Sequence, residues 1–293
     1  MASESRLSRR DGPTVETRPV RRASNPRNAK PDSRPEAPAD TRDVVTRHVQ
    51  RPVSKAVILA AGNGDRFRNA THDSKLLQPL LGQPILLRTL DAAREAGIQA
   101  ATIVVGYQAD RIRALVERAA PSGVAISFAV NHEWGLENGV SALAAKPLTG
   151  GDRFALLMGD HVFEPPVLKR MLALDVDVHE SLLAVDARDV PPEVADEATK
   201  VRRRGSRIVA IGKDLTDYDA LDTGVFVFSP ILFDALEQAR AHGETTLSAG
   251  VRRLAARGLM RGVEIGDATW CDIDTVSDLA AAESVLGAAA GNA

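Results

Sequence analysis

The chain has 293 residues, 44% hydrophobic and only 4% aromatic, a balance that suits an aliphatic α/β core, in one large domain or two small ones, rather than a β-sandwich. The single cysteine, Cys271, leaves no intrachain disulfide and no cysteine-built zinc site, and no apolar run reaches membrane-spanning length, so a reducing, cytoplasmic setting is expected. The net charge of −2 hides an asymmetry: residues 1–52 carry 12 basic and 7 acidic side chains, the remainder 25 and 32, and an acidic body argues against nucleic acid as a partner.

Residues 1–52 also hold seven of the sixteen prolines and few core-forming side chains, so they are expected to form a disordered basic Pro/Arg/Ser-rich tail. From residue 53 to about 290 the pattern alternates between strand and helix. The apolar run that begins at Lys55 reads as a buried strand that breaks into the glycine loop Gly62-Asn63-Gly64-Asp65-Arg66. A helix is predicted over 84–96, with proline at its start and Gly97 at its end, then a strand at 101–105, a helix at 109–118, a strand at 124–129 and a short helix at 138–145. The buried strand 153–158 ends in Gly159-Asp160-His161. The second half is richer in strands, at 182–186, 200–204, 207–212 and 223–228, with Gly205-Ser206 as a hairpin turn. Helices at 230–241 and 247–257, a strand at 262–265 and a helix at 276–286 follow. The alternation predicts a mainly parallel sheet with helices on both faces and ligands beyond the carboxyl ends of the strands.

The glycine loop offers main-chain N–H groups to a polyanion, and Arg66 adds a fixed charge. Its spacing is wrong for a dinucleotide fingerprint, because Phe67 stands where the third glycine belongs, and there is no Gly-Lys-Ser/Thr of a P-loop. Leu59-Ala60-Ala61-Gly62-x-Gly64-x-Arg66 instead resembles the signature of the sugar-nucleotide and alcohol-phosphate nucleotidyltransferases. Met158-Gly159-Asp160-His161, Glu197-Ala198-Thr199-Lys200, Ile211-Gly212-Lys213, Leu221-Asp222-Thr223-Gly224 and Trp270-Cys271-Asp272-Ile273-Asp274-Thr275 follow in an order and spacing similar to the CTP:inositol-1-phosphate cytidylyltransferase domain. The resemblance covers about residues 54–287.

It implies a single Rossmann-like nucleotidyltransferase domain with a mainly parallel mixed sheet and a small β-rich acceptor-binding part. Arg66 and Lys75 would steady the triphosphate, and Leu59, Ala60, Ala61, Gly62, Gly64, Asn138, Gly139 and Ser141 would complete the nucleotide site. Asp160 and Asp272 would hold Mg²⁺, which takes one or two carboxylates beside phosphate oxygens. Lys213 would orient the acceptor phosphate, with Lys200, Asp222, Thr223 and Gly224 around the alcohol. Asp274 reads as a helix cap or turn carboxylate, Asn138 equally as a cap or a base reader, His161 as a hydrogen-bonding pocket residue, and Cys271 as a buried thiol. The expected reaction joins CTP and a polyol phosphate, inositol 1-phosphate first among them, to give a CDP-alcohol and pyrophosphate. A chain without hydrophobic spans implies the free-standing form, whose product suits a membrane CDP-alcohol transferase. The alternatives are a sugar-1-phosphate nucleotidyltransferase using UTP, dTTP or GTP and a catalytically silent nucleotide-binding module.

Overall fold

A computed structural model describes residues 52–71 and 73–291. The tail expected at 1–52 lies, but for its last residue, outside the described residues. In chain order the elements are β1 (Lys55–Ala60), α1 (Asp65–Thr71), the short strands β2 (Pro79–Leu80) and β3 (Gln83–Pro84), α2 (Ile85–Glu95), β4 (Ala100–Val105), α3 (Ala109–Ala119) and β5 (Ala125–Val130). Next come α4 (Asn138–Ala144), α5 (Lys146–Thr149), β6 (Phe154–Met158), β7 (His161–Phe163), α6 (Pro165–Leu172), β8 (Ser181–Asp186) and α7 (Pro192–Glu197). The last group is β9 (Lys200–Arg204), β10 (Arg207–Gly212), β11 (Ala220–Phe228), α8 (Ile231–Ala241), α9 (Leu247–Ala256), β12 (Met260–Glu264), β13 (Trp270–Asp272) and α10 (Val276–Gly291).

Nine strands form one mixed sheet in the order β5-β4-β1-β6-β11-β8-β12-β10-β9, with β11 also pairing β9. The first four are mutually parallel and β12 is parallel to β8, while β11 and β10 run against their neighbours. Strand side chains alternate between faces, and β1 shows how this builds two cores. Ala56, Ile58 and Ala60 pack with α2, α3 and α6. Val57 and Leu59, with Ala61 just beyond the strand, pack with α4, α8 and α9. Burial on both faces is why the central strands read as unbroken apolar runs.

Several features depart from the expected string. Asp65–Thr71 is helical, because Phe67 plugs a third, smaller core with Leu80, Ile85, Val162, Ile273 and Ala282. Proline-led helices α6 and α7 follow β7 and β8 in stretches given no element. The short antiparallel ladder of β7 with β13 sets Asp272 opposite His161. Three-residue strands carry too little periodicity to be found by pattern. β12 is predicted two residues late, and β11 begins at Ala220 rather than 223.

Candidate active site

The carboxyl ends of β1, β6 and β8 meet on one rim, and three local devices place charge there. The first is the glycine loop. Gly64 takes φ +55°, a left-handed conformation that favours glycine, and its carbonyl accepts the first α1 hydrogen bond from Arg68 N at 2.8 Å. A Cβ on Gly62 would meet nothing within 4 Å, so its backbone is open to a guest. Leu59, Ala61, Gly62 and Gly64 line a cavity of about 400 Å³. Ala60 instead faces the α2 side of the core. Asp65, whose charge sits awkwardly beside a polyphosphate, is occupied by Asn63 Nδ2 at 2.9 Å and by an ion pair with Arg68.

The second device is the turn Lys75–Leu77, which buries the Lys75 stem beside Gly64. Lys75 Nζ lies 2.6 Å from Asp160 Oδ2 and 2.6 Å from Asp274 Oδ1. Burial alone would lower its pKa, but Asp160 and Asp274 outweigh that and raise it, so the ammonium is held charged. The guanidinium of Arg66 bridges Glu197, at 2.5 Å, and Asp274. Both cations of the expected triphosphate cradle thus converge on Asp274. The expectation that Asp274 caps a helix is incorrect: Thr275 and Asp278 form that cap reciprocally, Asp278 Oδ2 accepting from Thr275 N at 2.7 Å and Thr275 Oγ1 from Asp278 N at 3.2 Å.

The third device is the β7 and β13 ladder, which brings Asp272 from the far end of the sequence to Asp160. Asp160, His161 and Asp272 offer ligand atoms within 4.8 Å of one another. Asp160 Oδ1 is buried with no hydrogen-bond partner, while Oδ2 faces Lys75. An orphaned carboxylate oxygen beside a second carboxylate fits a hard divalent cation. Burial would raise the pKa of Asp160, but Lys75 and then His161 hold it below the usual carboxylate range. The His161 ring donates from Nδ1 to Thr223 O at 2.8 Å and lies 3.3 Å from Asp272 through Nε2. Burial opposes its protonation, yet Asp272 and Asp160 push its pKa up to about 10, so an imidazolium sits against both carboxylates.

A second cavity of about 620 Å³ opens on the other side of Asp160. Asn138, Met158 and Asp160 belong to the walls of both cavities. Lys213, Asp222 and Gly224 face this second space, with Asp186, Arg188 and Trp270. Burial pushes the Asp222 carboxyl up to about 6, against a 2.8 Å hydrogen bond from Gly224 N. Gly224, at φ +74°, leaves room for His161, whose Nδ1 would lie 2.3 Å from an added Cβ. Lys200 and Thr223 work behind the wall. Lys200 Nζ donates to Lys213 O at 2.9 Å, fixing the strap that carries Lys213. Thr223 Oγ1 donates to Ala184 O at 2.8 Å, tying β11 to β8 where their register shifts.

The 138–141 segment is divided in the same way. Asn138 lines both cavities, yet its Oδ1 accepts from Leu247 N at 2.8 Å at the start of α9. Gly139 is buried, and a Cβ there would lie 2.6 Å from Thr245 O. Ser141 lines the smaller cavity, and its Oγ accepts from Asn131 Nδ2 at 3.0 Å. Sequence reasoning reads Asp274 as a helix cap or turn carboxylate and quotes Glu197 in a motif without a role, and it passes over Trp134, Asp186 and Arg188. Of these last three only Trp134 has a local signal, a large aromatic in a polar loop before a helix start.

With this geometry in view, the comparisons are consistent with one another. A family model of the MobA-like NTP transferase domain matches residues 56–259. The chain is 34% identical over 242 residues to a bifunctional IPC transferase and DIPP synthase of Rubrobacter xylanophilus, covering 81% of this chain and 53% of that protein. A namesake from Aquifex aeolicus is 32% identical, over 80% of this chain and 52% of that one. The chain therefore spans about half the length of the curated relatives it matches. Among solved structures, the inositol-1-phosphate CTP transferase from T. maritima superposes with a TM-score of 0.70 at 26% identity, over 80% of this chain and 96% of that one.

Proposed function

The chain belongs to the MobA-like NTP transferase family, and on that premise we propose that it is an Mg²⁺-dependent cytidylyltransferase acting on CTP and an alcohol phosphate, inositol 1-phosphate first among them. An oxygen of the acceptor phosphate attacks the α-phosphorus of CTP in line. The bond from that phosphorus to the β-phosphate bridging oxygen breaks, pyrophosphate leaves with the electron pair, and a CDP-alcohol remains. An acceptor phosphate is already an anion, so the chain has little deprotonation to perform and most of the rate must come from placement and charge.

The observation that carries this reading is the position of Asp160, in the wall between the 400 Å³ and 620 Å³ cavities. CTP enters on the glycine-loop side, with Arg66 and Lys75 moving from their carboxylate partners onto its β- and γ-phosphates. The acceptor enters on the Lys213 and Asp222 side. Asp160 and Asp272 would hold Mg²⁺, whose chemistry is to neutralise phosphate charge between the two substrates. The names of the relatives support the choice of nucleotide and acceptor. The same reading makes 53–290 the catalytic unit, with 1–52 a basic tail outside it, and puts the enzyme in the cytoplasm, its product suited to a membrane CDP-alcohol transferase.

Pyrophosphate release with CTP, UTP, dTTP and GTP against inositol 1-phosphate, phosphocholine, aminoethylphosphonate and hexose 1-phosphates tests it. CTP with inositol 1-phosphate should be the best pair. Turnover only with UTP or dTTP and a hexose 1-phosphate would move the chain to the sugar-nucleotide branch, and CTP binding without any turnover would leave a binding module.

A further inference from the structure

The larger cavity poses an electrostatic problem. Its wall carries seven carboxylates, Asp160, Asp186, Glu197, Asp222, Asp272, Asp274 and Asp278, yet on the cytidylyltransferase reading it must admit a phosphate dianion. The cations in the same wall are His161, Arg188 and Lys213. His161 is committed to Asp272 and the Thr223 carbonyl. Arg188 and Lys213 remain, and only one of them is held in a fixed geometry.

Arg188 sits just beyond β8, locked to Asp186, which is 2% exposed. Asp186 Oδ1 accepts from Arg188 N at 3.0 Å and Nε at 2.8 Å, and Oδ2 accepts from Arg188 Nη2 at 2.7 Å and Trp270 Nε1 at 2.8 Å. This saturates one edge of the guanidinium and fixes its plane. Nη1 has no hydrogen bond among the described residues, and the side chain is 45% exposed, on the cavity. A bidentate pair behind and open donors in front is a preorganised anion clamp, for which arginine is better suited than lysine.

We propose that Arg188, positioned by Asp186, binds the acceptor phosphate together with Lys213 and makes the site select a phosphorylated alcohol over the free alcohol. The proposal rests on the cytidylyltransferase reading and adds a ligand that the motif resemblance did not supply. Asp186 is a positioning residue, since its oxygens are consumed by Arg188 and Trp270. Trp270, sharing that carboxylate, is a natural reporter of occupancy.

The test is steady-state kinetics of the full chain with inositol 1-phosphate varied at saturating CTP. Arg188→Ala should raise KM for the acceptor roughly 10- to 100-fold while KM for CTP stays near wild type, and its melting temperature should fall, because the buried Asp186 carboxylate loses its guanidinium partner. Arg188→Lys should fall between, because it keeps the charge and loses the fork. Asp186→Asn should shift acceptor KM in the same direction. An unchanged acceptor KM in folded Arg188→Ala overturns the proposal, as does a parallel rise in both KM values, which marks a structural role. If wild type shows no turnover with any alcohol phosphate, the cytidylyltransferase reading fails by itself, and calorimetric titration with inositol 1-phosphate still decides: equal affinity in wild type and Arg188→Ala overturns the proposal, and weaker binding in the variant supports it.

Discussion

Lys75 Nζ and Asp274 Oδ1 lie 2.6 Å apart across 199 positions of sequence, joining the turn behind the glycine loop to the segment that leads into α10. Asp160 takes the same ammonium at the same distance. One largely buried cation therefore holds two carboxylates that would otherwise repel each other. Lys75→Met should cost about 3 kcal/mol of unfolding free energy without divalent cation, because a buried pair is broken from one side. Added Mg²⁺ should restore more stability to the variant than to wild type, since it relieves the same repulsion. Urea denaturation with EDTA and with Mg²⁺ measures both effects, and kcat/KM for CTP should fall about 100-fold. A variant as stable as wild type in EDTA would refute the charge account.

Gly139 separates a packing role from a reading role. Its absent Cβ would lie 2.6 Å from Thr245 O and 2.8 Å from Thr246 O, both backbone atoms that cannot rotate away. Gly139→Ala should therefore cost about 2 kcal/mol by overpacking α4 against the start of α9. Thermal denaturation shows this directly. A glycine needed only to admit the nucleotide would give the opposite pattern, a raised KM for CTP at unchanged melting temperature.

Asp186 links acidity to stability. Burial acts to raise its pKa, but hydrogen bonds from Arg188 and Trp270 overcome burial and hold it below the usual carboxylate value. A folded pKa below the unfolded one, near 3.9, gives stability that is fully present above that value and is lost as pH falls through the folded pKa. Wild type should thus exceed Asp186→Asn in unfolding free energy by a constant amount between pH 5 and 7, the gap closing below about pH 4. Denaturant titrations across that range check it, and a gap that widened on acidification would reverse the assigned sign.

What the sequence made legible follows from where its information is local. β1, β4, β6 and β8 announce themselves because an apolar run buried on both faces needs no partner to be read. Asp160 and Asp272 stand out because the first ends such a run and the second follows a tryptophan in a distinctive string. Their meeting, by contrast, depends on a three-residue ladder between β7 and β13 that no period reveals. Asp274 reads as a cap or turn carboxylate because a carboxylate before a helix is usually one, and only the fold shows Thr275 and Asp278 doing the capping. Lys200 shares a motif with Thr199 and Thr223 one with Asp222, and of each pair it is the other residue that lines the larger cavity. Arg188 was invisible because its partner lies only two residues away, a spacing shared by countless surface pairs.

The chain has two tryptophans, and the fold puts one in each cavity, Trp134 beside the glycine loop and Trp270 beside Asp186. Trp134 is 38% exposed, leans on Tyr107 with ring centroids 5.5 Å apart, and has Gly106 beneath it, where an added Cβ would lie 2.5 Å from Trp134 Cβ. An aromatic face held this way at the edge of the cavity proposed for the nucleotide is suited to stack on a base, a contact worth about 1–3 kcal/mol by alanine substitution. Trp134→Ala should accordingly raise KM for CTP about tenfold or more, with acceptor KM little changed. In Trp270→Phe, where only Trp134 emits, CTP should alter the fluorescence and inositol 1-phosphate alone should not. In Trp134→Phe the responses should exchange, because the remaining indole then reports on Asp186 and the acceptor. If CTP left Trp134 emission untouched while still binding, the base would have to lie elsewhere on the rim, and the assignment of the smaller cavity to the nucleotide would fall with it.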